Sequence, residues 1–174
     1  ASVSGTKERI EKIQKSGINY GANLSDYTVW LLERSIKTLS VRVNAQNQNA
    51  LYLAKFLNES SLIKKVYYPG LENHISYEIA TKQMIGFGGM MSFEVIDKIN
   101  SEDFVSDLKI ISPTMSLAGV ESSITSPSKT SHKKVDSQIR KKLGISDNLL
   151  RFSVGIEDIE DLMLDLDKSL KNNV

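Results

Sequence analysis

The chain has no cysteine, which excludes disulfides, thiolate metal sites and cysteine nucleophiles. It has only two histidines, His74 and His132, and their wide separation in sequence argues against a zinc site. No apolar run approaches the roughly 20 residues that a bilayer-spanning helix needs, so no membrane partner is expected. An excess of one charge is missing as well. Twenty-two basic and 21 acidic residues leave a formal net charge of +1, which speaks against a surface for nucleic acid or anionic lipid. The first residues carry neither a basic n-region nor an apolar h-region, so no secretion signal is read and the cytoplasm is the expected location. What is present is enough for one core. At 174 residues and 40% hydrophobic, the chain can bury one core but is short for two independent ones.

The pattern begins with a charged helix over 6–15 that Ser16-Gly17 should close. After a turn at 21–24, Ser25 is placed to cap a helix by accepting from its first free N–H groups. Helical spacing then runs through Tyr27, Trp30, Leu31, Ile36 and Leu39, and again through Val43, Ala50, Leu53, Ala54 and Leu57. The polar stretch 44–49 between them holds no proline or glycine. Residues 26–58 therefore read as one long helix or two abutting ones, since the mean helix is only about 11–12 residues. Residues 1–60 form a helical N-terminal part and 61–174 a small α/β domain.

Within that domain, strands are expected at 63–68, at 88–95 behind a run of glycines, at 110–111, at 121–125 and at 149–154. Helices are expected at 76–84, 103–108 and 135–143, the last ended by Gly144 as a left-handed cap. A final helix starts near Asp158, with an acidic first turn and a basic last turn that suit the helix dipole. Short strands separated by helices predict an α/β (α+β) fold, a small sheet covered on one face by helices. The glycines of Gly86-Phe87-Gly88-Gly89 suggest another backbone passing close by. They lack the lysine and following helix of a phosphate loop and read as structural punctuation.

Two places carry the residue types of a ligand site. Arg151 ends an apolar run just ahead of an acidic helix start. It reads either as a solvated strand-end cation or as a planar fork for bidentate recognition of a carboxylate. Ser116, beside the small residues Ala118 and Gly119, is either an ordinary turn serine or a hydroxyl near main-chain N–H groups open to the same ligand. His132 has no nucleophile or carboxylate at recognisable spacing and reads as structural. Tyr27 and Trp30 read as packing residues rather than a stacking platform.

Several of these segments, taken in order, resemble the C-terminal part of the Cys/Met-metabolism family of pyridoxal-phosphate enzymes. That family includes cystathionine γ- and β-lyases, cystathionine γ-synthase, methionine γ-lyase and the O-acylhomoserine sulfhydrylases. Trp30-Leu31-Leu32-Glu33-Arg34-Ser35-Ile36-Lys37-Thr38-Leu39 is similar to its W-L-L-x-R-G-L-K-T-L helix. Val66-Tyr67-Tyr68-Pro69-Gly70-Leu71 and Gly86-Phe87-Gly88-Gly89-Met90-Met91-Ser92-Phe93 match two further signatures. Ser116-Leu117-Ala118-Gly119-Val120-Glu121-Ser122 resembles S-L-G-G-V-E-S, with Ala118 departing from the glycine. Ser131-His132 and the run from Gly144-Ile145-Ser146-Asp147 to Arg151-Phe152-Ser153-Val154-Gly155-Ile156-Glu157 complete the likeness, which covers nearly the whole chain.

The resemblance implies that Arg151 binds the α-carboxylate of an amino-acid substrate, with Ser116 and Leu117 beside it. It implies a small C-terminal domain of the aspartate-aminotransferase-like fold, with a short, mainly antiparallel sheet and a long linking helix. It further implies pyridoxal 5'-phosphate bound mainly by an N-terminal domain of the same enzyme, and a homotetramer when complete. The reaction implied is elimination at Cβ or Cγ of a sulfur amino acid, as in a cystathionine lyase of the trans-sulfuration route. A γ-synthase or sulfhydrylase, and a non-catalytic α/β interaction module, are the alternatives. The family's cofactor lysine sits in S-x-T-K, and Ser4-Gly5-Thr6-Lys7 spells that pattern. It is expected to be a decoy, because Lys7 runs straight into a charged helix and an exposed lysine has neither the desolvation nor the cationic neighbour that makes a nucleophile. On this reading no catalytic, cofactor-binding or metal-ligating residue lies in the chain, which by itself should be an inactive part of the enzyme.

Overall fold

A computed structural model of the chain describes residues 3–174. The chain divides into two compact units, 1–40 and 41–174. The first holds α1 (Lys7–Asn19) and α2 (Asp26–Ile36). Ser25 caps α2 as expected, its side chain accepting from the Thr28 N–H at 3.3 Å. Helix α1 passes through Ser16-Gly17 without stopping and ends beside Gly21, whose φ of 65° supplies the left-handed turn. One expectation fails here. Tyr27 and Trp30 are 68% and 55% exposed, and their rings stack on each other with centroids 6.0 Å apart. Helical spacing marks them as one face, but α2 has no buried residue and the described residues of this unit form no core.

The abutting-helix reading holds: α2 gives way to α3 (Leu39–Glu59). The stripe Ala50, Leu53, Ala54 and Leu57 on α3 is fully buried and belongs to the main core. The compact C-terminal unit therefore begins near residue 41 rather than after 60. It continues through β1 (Ile63–Tyr67), α4 (Tyr77–Gln83), β2 (Met90–Val95), α5 (Ser101–Asp107), β3 (Ser112–Pro113), β4 (Ser123–Thr125), α6 (Ser137–Lys142), β5 (Leu149–Ser153) and α7 (Ile159–Asn172). No helix of the described residues is long and apolar enough to cross a membrane.

The five strands form one mixed sheet in the order β1-β2-β5-β4-β3, antiparallel except for the β3–β4 pair. Side chains alternate across it. Met91, Phe93, Val95, Ile124, Leu150 and Phe152 are buried on one face. There they join Phe104 of α5, Leu162, Leu166 and Leu170 of α7, and the α3 stripe. Phe93 meets Phe104 and Phe152 edge-on at 6.2 and 6.5 Å, the arrangement the ring quadrupoles favour. The other face is polar: Arg151 pairs with Ser92 of β2 and Thr125 of β4, and Ser123 pairs with Ser153.

The strand expected at 110–111 is displaced to Ser112–Pro113. The N–H groups of Lys109, Ile110 and Ile111 donate instead to the buried carboxylate of Asp165, at 2.8, 2.9 and 3.0 Å. Donors spent on a side chain cannot enter a ladder. Asp158 caps α7 by accepting from Glu160 and Asp161, and Gly144, at φ 74°, follows α6 as the expected left-handed residue.

The glycine-led entry to β2 passes close to other backbone, as its sequence suggested. Val154 N–H donates to Gly89 O at 2.8 Å, and a Cβ on Gly89 would lie 3.1 Å from Val154 O. Tyr68 is fully buried and donates to Gly88 O at 2.9 Å, and burial pushes its pKa up to about 12. A phenol whose folded pKa lies above its unfolded value of 10 stabilises fully below pH 10 and loses that contribution as pH rises toward 12. We expect thermal denaturation scans to show stability falling across that window, and Tyr68→Phe to flatten part of the slope. The variant should also lose about 1 kcal/mol at neutral pH, the worth of its hydrogen bond.

Candidate functional site

On the polar face of the sheet, the loop 114–119 lies over the ends of β4 and β5. Three side chains of the sheet hold it through its main chain. Arg151 Nη2 donates to Met115 O at 2.7 Å and to Ser116 O at 3.3 Å. Ser123 Oγ donates to Ser116 O at 2.8 Å, and Ser153 Oγ accepts from Ala118 N–H at 3.0 Å. The sequence-derived pair Arg151 and Ser116 is thus brought together, through the serine's carbonyl. Leu117 lies on the same loop and is 54% exposed. The guanidinium is anchored by one nitrogen, and Nε is buried with no hydrogen-bond partner. A buried donor left in that state costs roughly 1–3 kcal/mol.

Ala118 has φ 60° and is the only non-glycine residue at positive φ among those described. The left-handed region costs an alanine roughly 1–2 kcal/mol, because Cβ crowds the following carbonyl. It persists here because the loop is bound on both sides of it. The next residues are fixed just as firmly. Ser122 donates from its N–H to Glu157 Oε1 and from its Oγ to Oε2 at 2.8 Å, while that Oγ accepts from Gly155 N–H at 2.8 Å. Ile156 N–H donates to Val120 O at 2.9 Å. Gly155 has no room for a side chain, since a Cβ there would collide with Val120 O and the Glu157 carboxylate.

Sequence reasoning passed over the helix side of this arrangement. Gln46 Nε2 donates to Gly119 O at 2.7 Å, and Asn49 Nδ2 to Glu157 O at 2.9 Å and Gly155 O at 3.3 Å. Asn47 Oδ1 accepts from Gly88 N–H at 2.8 Å. A signal was available in principle: Gln46 falls on the same stripe as Ala50, Leu53 and Leu57, where an amide needs a partner. His132 shares a hydrogen bond between its Nδ1 and Ser131 Oγ at 2.9 Å, away from Arg151 in every contact described. A cavity of about 370 Å³ lined by Pro113, Ile124, Thr125, Ser126, Lys129 and Thr130 includes neither Arg151 nor Ser116.

The fold is a small α/β domain in which an arginine on the polar face of the sheet is fixed to the main chain of a neighbouring loop. The comparisons with known proteins concern the fold and the family. A model of the Cys/Met metabolism PLP-dependent enzyme family matches residues 1–171. The chain is 43% identical over 169 residues to a cystathionine beta-lyase of Lactococcus lactis subsp. cremoris, covering 97% of this chain and 44% of that protein. It is 40% identical over 170 residues to a cystathionine gamma-lyase of Bacillus subtilis, covering 98% and 45%. The crystal structure of a cystathionine gamma-lyase from Lactobacillus plantarum, complexed with L-serine, superimposes with a TM-score of 0.91 at 37% identity, over 97% of this chain and 44% of that one. The chain belongs to the Cys/Met-metabolism family of PLP-dependent enzymes. It spans less than half the length of these relatives.

The family's cofactor is pyridoxal phosphate, and the residues present do not fit it. A cofactor lysine must be desolvated or have a cationic neighbour. Every lysine of this chain is exposed. Lys7 opens α1 with a side chain 90% exposed and a carboxylate, Glu11, 3.9 Å away. The substitution Ala118→Gly should relieve the left-handed strain. We expect it to add about 1 kcal/mol of stability, seen as a Tm about 3 °C higher in calorimetry.

Proposed function

We propose that this chain is the substrate-carboxylate-binding part of a PLP-dependent trans-sulfuration enzyme. Arg151 takes the α-carboxylate of an amino acid, Ser116 and Leu117 flank it, and a PLP-bearing domain supplies the cofactor chemistry. The observation that carries the reading is the guanidinium fixed through Nη2 to Met115 O and Ser116 O, with Nε lacking a protein partner. A planar guanidinium held rigid through one nitrogen suits a carboxylate better than a freely solvated cation does. The chain's own residues bind and orient the ligand, and none of them is assigned a proton transfer.

The finer assignment is a cystathionine lyase acting at Cβ or Cγ of a sulfur amino acid, in a cytoplasmic homotetramer. The named lyases at 40–43% identity support it. A cystathionine γ-synthase is the second reading, supported by the 40% identity to the Nicotiana tabacum protein of that name. Product analysis separates them, since a lyase releases a keto acid and a synthase joins two amino acids.

Two measurements test the proposal. In the enzyme assembled with its PLP-bearing domain, Arg151→Ala should raise KM strongly, by the tens- to thousands-fold that a few kcal/mol of lost charge-assisted pairing implies. Unchanged kinetics would remove Arg151 from the site. For the 174-residue chain alone, incubation with pyridoxal phosphate and borohydride followed by peptide mapping should give no site-specific adduct. A single stoichiometric adduct at Lys7 would mean that this chain holds the cofactor itself.

A further inference from the structure

The polar run 44–49 on α3 belongs neither to the core nor to the carboxylate grip, yet one turn of it touches both segments that build the grip. Gln46 is only 9% exposed, on a stripe otherwise made of Ala50, Leu53 and Leu57. A buried amide without partners would be costly there, and a leucine or methionine would serve packing equally well. Its Nε2 instead donates to Gly119 O at 2.7 Å, on the residue next to strained Ala118. One turn on, Asn49 Nδ2 reaches Glu157 O and Gly155 O, in the segment that leaves β5 two residues after Ser153. All three acceptors are main-chain carbonyls, so these amides fix backbone positions.

We infer that Gln46 and Asn49 are positioning residues for carboxylate recognition. They hold the Ser116 loop and the exit of β5 at the separation at which Arg151 Nη2 reaches the loop carbonyls while its Nε keeps no protein partner. The alternative geometry is easy to state. With Gly119 O released, Ala118 can leave the left-handed region, and the carbonyls of Met115 and Ser116 no longer stand where Arg151 meets them. The guanidinium would then be free to turn, and the grip would lose its preorganisation. The inference rests on the reading of Arg151 as the carboxylate ligand, and adds the residues that act through the backbone to aim it.

The test uses the ¹⁵N-labelled 174-residue chain, wild type and Gln46→Met, which keeps the side-chain length and removes the amide. Backbone amide exchange is measured at Ala118 and at Phe93, and the Arg151 Nε–H resonance is followed during titration with L-cystathionine. In Gln46→Met, exchange at Ala118 should accelerate about tenfold, as loss of one part-buried hydrogen bond implies, with Phe93 unchanged. The Arg151 Nε–H resonance should move, and half-saturation should need about tenfold more L-cystathionine. Asn49→Leu should shift the same resonance, and stands in if Gln46→Met does not fold. The inference is overturned if Ala118 and Arg151 behave as in the wild type, or if Phe93 accelerates together with Ala118, which would make Gln46 a residue of global stability only. A wild-type Arg151 that does not respond to L-cystathionine would sink the carboxylate reading instead. The exchange comparison would still decide whether Gln46 holds the loop.

Discussion

Strand β5 is hydrogen-bonded along both edges, to β2 on one side and β4 on the other, and its alternation serves two purposes at once. Leu150 and Phe152 point into the core, and Arg151 and Ser153 point to the polar face. A slip of one residue in either ladder would bury the arginine among Phe93 and Phe104 and expose Phe152. The register that makes the core is therefore the register that makes the grip. The placement of Arg151 inherits the precision of the aromatic packing behind it.

The polar face solves a different problem. A loop crossing a sheet surface brings carbonyls and N–H groups that must find partners as water is removed. Here the partners are side chains of the strands beneath, of the helix beside it and of the segment that leaves β5. Arg151, Ser123 and Ser153 serve residues 115–118, Gln46 serves Gly119, and Glu157 serves Ser122. With so many groups committed, the loop tolerates an alanine where the family's pattern has glycine. The same logic appears at Asp165, whose carboxylate collects three consecutive N–H groups and so decides where β3 can begin.

The two units differ in how far the chain alone accounts for them. The C-terminal unit buries an apolar cluster from three helices and the sheet. The N-terminal unit exposes Tyr20, Tyr27, Trp30, Ile36 and other large apolar side chains. Isolated domains rarely expose so many large apolar side chains together. The exposure accords with a chain that spans under half the length of its relatives.

Much of the architecture was legible in the amino-acid sequence because its causes are local. The glycine run at 86–89 marked the start of β2, Ser25 and Asp158 marked helix starts, and Gly144 marked a helix end. The apolar stripe on α3 was equally visible. The short motifs around Ser116 and Arg151 were enough to name the family and to nominate both residues. The partnership between them was not legible as geometry, and neither were the residues that enforce it. Gln46 and Gly119 are 73 positions apart, Asn49 and Glu157 108, and Ser122 and Glu157 35. A polar residue announces by its type that it needs a partner, but which carbonyl it meets depends on how helix, sheet and loop pack. The sequence by itself determined most of the elements and the family. Only the tertiary structure decided where the amides of α3 go, why α2 lacks a core to join, and how Arg151 is aimed, because long-range hydrogen bonds become specific only once burial has removed water as the competing partner.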